Sequence, residues 1–128
     1  MANPVNLTIN ETTANGSINQ PAAQSIDTNG TLNCPVKSLT DRLMIEVVNT
    51  DDAALTVTVK AGTGVQAHTS RDLAVALTAA GGASPAKIIG PLESTRFVKA
   101  DGSIDVQFQA AAGSPAASVR VYRLPANV

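Results

Sequence analysis

His68, Ser70 and Asp72 place an imidazole, a hydroxyl and a carboxylate within one short stretch. These are the groups of nucleophilic catalysis. A working triad needs directional hydrogen bonds from nucleophile to base to orienting acid, usually assembled from separated elements. Three near-neighbours in a Gly/Thr-rich loop fall short of that, and a solvated loop histidine is the expectation. His68 has no second His or Cys at ligand spacing, so the pattern of a zinc site is missing. Asp51-Asp52 sit where the chain must turn, and Asp caps turn backbones. They lack the Asp-x-Asp-x-Asp-Gly loop pattern of a calcium site. Asp101-Gly102 reads as turn geometry too. Glu93 and Asp105 have no acid partner at a fixed offset that would argue a glycosidase pair. Gly62-Thr63-Gly64 lacks the Gly-Lys-Ser/Thr that follows in a phosphate loop and opens no helix. No catalytic, cofactor-binding or metal-ligating residue is assigned, and the expected class is non-enzymatic.

Cys34 is the chain's one cysteine, so no intramolecular disulfide forms. It follows Leu32 at strand spacing, which predicts a buried, inert thiol. The Met1-Ala2-Asn3-Pro4 start has neither the basic residues nor the apolar run of a signal peptide. No segment approaches the ~20 apolar residues of a membrane span. The expectation is a chain made and folded in a reducing cytoplasm. Asn6, Asn10, Asn15 and Asn29 head Asn-x-Ser/Thr sequons, which in this setting read as polar chain chemistry.

The elements that carry these residues follow from alternation. Leu55, Val57 and Val59 alternate with Thr56, Thr58 and Lys60, and Ile104, Val106 and Phe108 alternate with Asp105, Gln107 and Gln109. A period of two buries one set and leaves the other in solvent, which marks half-buried β-strands. Leu43, Ile45 and Val47 repeat the pattern, but Met44 and Val48 on the opposite face are also apolar. That predicts a central strand covered on both faces. The run Asn49-Thr50-Asp51-Asp52 predicts a hairpin into Leu55–Val59, and Asp101-Gly102 predicts a second, joining Thr95–Lys99 to Ser103–Gln109. Arg71 to Thr78 reads as a strand through Leu73, Val75 and Leu77. Lys87-Ile88-Ile89 is a short strand ended by Gly90-Pro91, and Ser118 to Leu124 closes the fold.

Residues 1–38 differ. They are rich in Asn, Thr, Ser, Ala and Gln, and carry no Lys or Arg before Lys37. Val5, Leu7 and Ile9 alternate as one short strand; Asn15-Gly16 and Asn29-Gly30 signal tight turns. Ile18, Pro21 and Ile26 are too sparse to bury a face. The division is an extended N-terminal arm over 1–38 and a β-sandwich over 39–128. An uncharged, strand-competent arm can add to a neighbour's sheet edge or fold back on its own sandwich. On the first alternative Val5, Leu7, Ile9, Ile18 and Ile26 are interface residues, and deleting the first 30 residues weakens docking while sparing a cooperative transition.

With about eight strands and long connections between them, the fold class is all-β: a single antiparallel β-sandwich or Greek-key jelly roll. The composition is 44% hydrophobic but only 2% aromatic, so Val, Leu, Ile and Ala build the core. Net charge is −1, with nine basic residues, none adjacent to another. That leaves no basic patch for a phosphate backbone. Phe97, Phe108 and Tyr122 are thin material for an aromatic platform for bases or sugars.

Asp41-Arg42-Leu43-Met44-Ile45-Glu46-Val47-Val48-Asn49, Ile89-Gly90-Pro91-Leu92-Glu93-Ser94-Thr95-Arg96-Phe97 and Val121-Tyr122-Arg123-Leu124-Pro125 together resemble the head decoration (auxiliary capsid) proteins of tailed bacteriophages. The resemblance spans roughly residues 30–125. It implies a virion protein on the capsid surface that binds the major capsid protein from outside, often as a homotrimer, with no catalytic motif and no cofactor. Two other classes stay open: a tail or fibre subunit, and a carbohydrate-binding sandwich module.

Overall fold

The computed structural model describes residues 3–4, 6–37, 42–63 and 72–125. Within them the chain forms β1 (Ile9–Glu11), β2 (Gln24–Ile26), β3 (Gly30–Cys34), β4 (Leu43–Asn49), β5 (Leu55–Val59), β6 (Leu73–Leu77), β7 (Ala86–Ile89), the single helical turn α1 (Ser94–Phe97), β8 (Ile104–Ala110) and β9 (Ala117–Arg123). The fold is an all-β sandwich. One sheet runs β3-β8-β5-β6; in the other, β9 lies beside β4 and β4 beside β7, with β1 and β2 both on the far edge of β9.

The alternating side chains set this arrangement. Leu43, Ile45 and Val47 of β4 point between the sheets with Val119 and Val121 of β9, and meet Leu55, Val57 and Val59 of β5 and Ile104, Val106 and Phe108 of β8, all at most 1% exposed. With branched aliphatics filling this layer, each strand buries one face and wets the other. Phe97 and Phe108 are both buried.

Two expected hairpins do not form. β4 and β5 lie in different sheets, so residues 50–54 cross the sandwich. Asn49 fixes that crossing. It is 2% exposed; its Nδ2 donates to the carbonyls of Ala53 and Thr78, both at 2.9 Å, and its Oδ1 accepts from the Asp51 N–H at 3.1 Å. The second expected hairpin fails because both edges of β8 are already taken, by β3 and by β5. Ser94–Phe97 instead coils into α1, and the turn at Asp101-Gly102 returns the Ser103 carbonyl to the Lys99 N–H at 2.8 Å. The hairpin that does form joins β5 to β6, from Leu55↔Leu77 to Val59↔Leu73. The strand expected over Arg71–Thr78 is therefore present as β6.

The stretch read as an arm supplies β1, β2 and β3 to both sheets. β2 runs antiparallel to the first half of β9, Gln24 opposite Val119. β1 runs parallel to its second half, Ile9 opposite Val121. Three residues before β1, Asn6 bridges Asn33 of β3, and the Leu7 N–H donates to the Asn33 carbonyl at 2.9 Å. The chain thus steps from one sheet to the other within a few residues and straps that side of the sandwich. The opposite side, where β6 and β7 end their sheets, has two strand edges with no partner among the described residues.

Candidate interaction surfaces

The sequence-singled polar residues take structural positions. Asp72 accepts from the Ala61 N–H at 2.6 Å and pairs with Lys60 at 2.9 Å. These contacts hold its carboxyl below the usual range, the Ala61 hydrogen bond foremost. It is thereby tied to the β5–β6 hairpin. His68 and Ser70 lie outside the described residues. The Asp52 N–H donates to Oδ1 of Asp51 at 2.9 Å, which is turn chemistry. Among the described residues no group of three His, Cys, Asp or Glu side chains converges as a metal site would.

The densest polar cluster joins β3, β8 and the turn before β8. Asn33 Nδ2 donates to Ser103 Oγ at 2.8 Å and to Asp105 Oδ1 at 3.1 Å. Ser103 Oγ donates to Asp101 Oδ1 at 2.6 Å, and Lys99 reaches Asp105 at 3.1 Å. Every group is partnered: the Ser103 hydroxyl donates to Asp101 and accepts from Asn33. The cluster ties the turn to the sheet. Gly62 belongs to the same region: its N–H donates to the Arg96 carbonyl at 2.8 Å, and a Cβ there would strike the Val98 carbonyl.

Cys34 is fully buried, and burial pushes its thiol up to about 12 against the opposing pull of Arg123. It is a buried core residue, as its strand spacing predicts. Asn10 donates to the Val121 carbonyl at 3.0 Å, and Asn29 accepts from Ala110 N–H and donates to the Gly113 carbonyl. Asn15 takes a left-handed backbone, φ 53°. The Asn10 and Asn29 side chains thus hold backbone.

The five arm residues named as an interface separate. Val5 lies outside the described residues. Leu7 and Ile26 are 1% and 0% exposed inside the chain's own core, Ile9 packs against that core, and Ile18 is exposed. In the single chain, then, Leu7, Ile9 and Ile26 face inward and Ile18 does not. The sparse spacing around Ile26 concealed β2, because a three-residue strand needs only one buried side chain.

The two outer faces of the sandwich differ. On the β3-β8-β5-β6 sheet the outward residues are Thr31, Asn33, Asp105, Gln107, Gln109, Thr56 and Thr58, with two alanines on β6. On the other sheet the outward row Ile88–Glu46–Arg120 is set by register, and is flanked by Met44 beside Tyr122 and by Val48 beside Ser118. Ile88 is 64% exposed. Met44 and Val48, expected to lie under a second layer, are only half-buried. β4 is central in its sheet, but nothing among the described residues roofs its outer face. Glu46 and Arg120 form an ion pair at 3.4 Å in the middle of that face, and Arg120 Nε also donates to the Pro21 carbonyl at 2.9 Å. Sequence reasoning missed this surface because strand order, not local pattern, brings Ile88, Met44 and Tyr122 side by side.

Compared with known proteins, the chain matches no family model, no curated relative and no solved structure. No helix among the described residues is long and apolar enough to cross a membrane.

Proposed function

We propose that this chain is a non-enzymatic virion structural protein that docks on the outside of an assembled phage capsid and stabilises the shell. The observation that carries the reading is strand order: β2-β9-β4-β7 facing β3-β8-β5-β6. We read this order as an eight-stranded jelly roll, an architecture that recurs in viral capsid and lectin domains. The step from fold to role is an analogy at the level of fold, joined to the resemblance of the β4, β7–α1 and β9 segments to head decoration proteins. The outer face that sets Ile88, Met44 and Tyr122 around the Glu46–Arg120 ion pair supports a surface-binding role, since Tyr, Met and Arg are enriched where proteins meet.

The mechanism is mass action. A module that binds only the assembled, expanded shell stabilises it by RT ln(1 + [L]/Kd), about 2.7 kcal/mol per site at a hundredfold excess over Kd. Repetition over the lattice multiplies the effect without any chemistry.

The test is co-sedimentation of the purified chain with heads of the phage that encodes it, before and after expansion. The reading expects saturable binding to expanded heads and a higher temperature of shell disruption. Absence of binding to either form overturns it, and binding to a glycan array instead would move the assignment to a carbohydrate module.

A further inference from the structure

The outer face of the β9-β4-β7 sheet is charge self-complementary, and the geometry points to a second copy of this chain as its occupant. Glu46 and Arg120 stand directly opposite one another on adjacent strands. A two-fold axis running along the strands, midway between β4 and β9, exchanges the positions of those strands between the two copies. It therefore sets Glu46 of each copy over Arg120 of the other, so every charge on the row meets its opposite. The same operation lays Met44 over Tyr122 and Val48 over Ser118. The Ile88 of each copy reaches the partner's arm beside Pro21, which already rests on Arg120. One patch pairing with itself under a two-fold is the isologous contact that symmetric dimers use. Within one chain Arg120 uses Nε on the Pro21 carbonyl and one terminal nitrogen on Glu46 at 3.4 Å, and the guanidinium's other terminal nitrogen is the donor that would reach across the contact.

Area sets the strength. Four strand positions at about 4.8 Å spacing and seven residues of about 3.4 Å each make a face of roughly 450 Å² per copy, or about 900 Å² in all. That lies just below the ~1,200–2,000 Å² of stable complexes. The pair is accordingly weak and reversible, forming as concentration rises. The opposite sheet's outer face, with its Thr and Gln residues and no large apolar side chain, offers no such match. This contact does not depend on the capsid reading, and it is two-fold where the resemblance implies a trimer.

Sedimentation equilibrium over a wide concentration range tests it. The wild-type chain is expected to move from monomer toward dimer mass, and Ile88→Asp, at an exposed position, to stay monomeric with an unchanged melting temperature. Glu46→Arg and Arg120→Glu should each weaken the dimer at least about a hundredfold, because like charges then face each other twice. The deciding arm mixes the two single variants. In the mixed pair each new charge meets an opposite one, so dimer mass should return, and it should return only on mixing. A wild-type chain monomeric throughout overturns the proposal. So does a trimer or dimer indifferent to the reversals, or a mixture that stays monomeric.

Discussion

Gln24 holds the backbone of Asn6. Its Nε2 donates to the Asn6 carbonyl at 3.0 Å while its Oε1 accepts from the Thr8 N–H at 2.8 Å. One side-chain amide thus mimics a strand partner for the segment between the Asn6 bridge to β3 and the start of β1. It locks β2 to the part of the arm that changes sheets. Gln24→Ala removes both bonds and should lower stability by about 1–2 kcal/mol with the fold retained. A urea titration with an unchanged m-value would show it; no shift in the midpoint would mean that water replaces the amide at no cost.

Removing the first 26 residues of the arm has a larger consequence than the sequence suggests. Leu7 and Ile26 are core residues, and β1 and β2 pair with the outer edge of β9 on both sides of Arg120. Losing a buried Leu or Ile side chain costs about 2–5 kcal/mol each, comparable together with the 5–15 kcal/mol total stability of a domain. A chain beginning at Asp27 should therefore lose its cooperative thermal transition by calorimetry. A sharp transition in that fragment would show that the arm is dispensable to folding and restore it as a docking segment.

Asn49 offers the sharpest single-residue test of the sheet crossing. Replacing it with Ala leaves two carbonyls and an N–H without their partner in a part-buried corner. At about 1–3 kcal/mol for each group left unsatisfied, Asn49→Ala should cost on the order of 3 kcal/mol in chemical denaturation. A loss below about 0.5 kcal/mol would mean that the crossing is held by the backbone bonds from Asn49 to Pro85 and Thr50 to Ala116 alone.

What was legible in the sequence was the strand set of β4–β9, because Leu43–Val47, Leu55–Val59, Leu73–Leu77, Ile104–Phe108 and Val119–Val121 alternate over enough residues to leave a period. What was not legible was which strand pairs with which. Asn49-Thr50-Asp51-Asp52 has the composition of a hairpin turn, yet the buried Asn49 amide ties it to Thr78 at the end of β6, a contact 29 residues away in sequence. The short strand expected through Val5, Leu7 and Ile9 touches β1 only at Ile9, and β2 escaped altogether: three residues show no period, and the ladders that hold both pair them with β9, about a hundred residues away in sequence. The outer-face row follows pairing, so it was hidden with it.

Acid should weaken the β5–β6 hairpin through Asp72. Its carboxyl titrates below the ordinary 3.8 because the charged form accepts from the Ala61 N–H and faces Lys60. A group depressed in the folded state adds stability that is present above the unfolded value and is lost as pH falls through the folded one. The melting temperatures of wild type and Asp72→Asn should therefore differ near pH 6 and converge below pH 3.8. Since Asp72 is well exposed the gap is small, and a gap that widened in acid would reverse the assignment.

Alkali acts through Cys34 with the opposite sense. Burial raises the thiol from 9.0 to about 12 in the folded chain, so the folded state holds a proton that the unfolded state releases. Stability from this group is complete below pH 9 and falls as pH rises from there toward 12. Cys34→Ala removes that slope while leaving a small cavity, so the variant should be less stable than wild type at pH 7 and close the difference above pH 9. The same burial keeps thiolate scarce, and the thiolate is the nucleophile. Iodoacetamide at pH 8 should then leave the native protein unmodified by intact mass and label it in full in denaturant. Rapid labelling of the native chain would place Cys34 in a segment that opens locally, and the strap that joins β3 to the arm through Asn6 and Asn33 would be the part that opens.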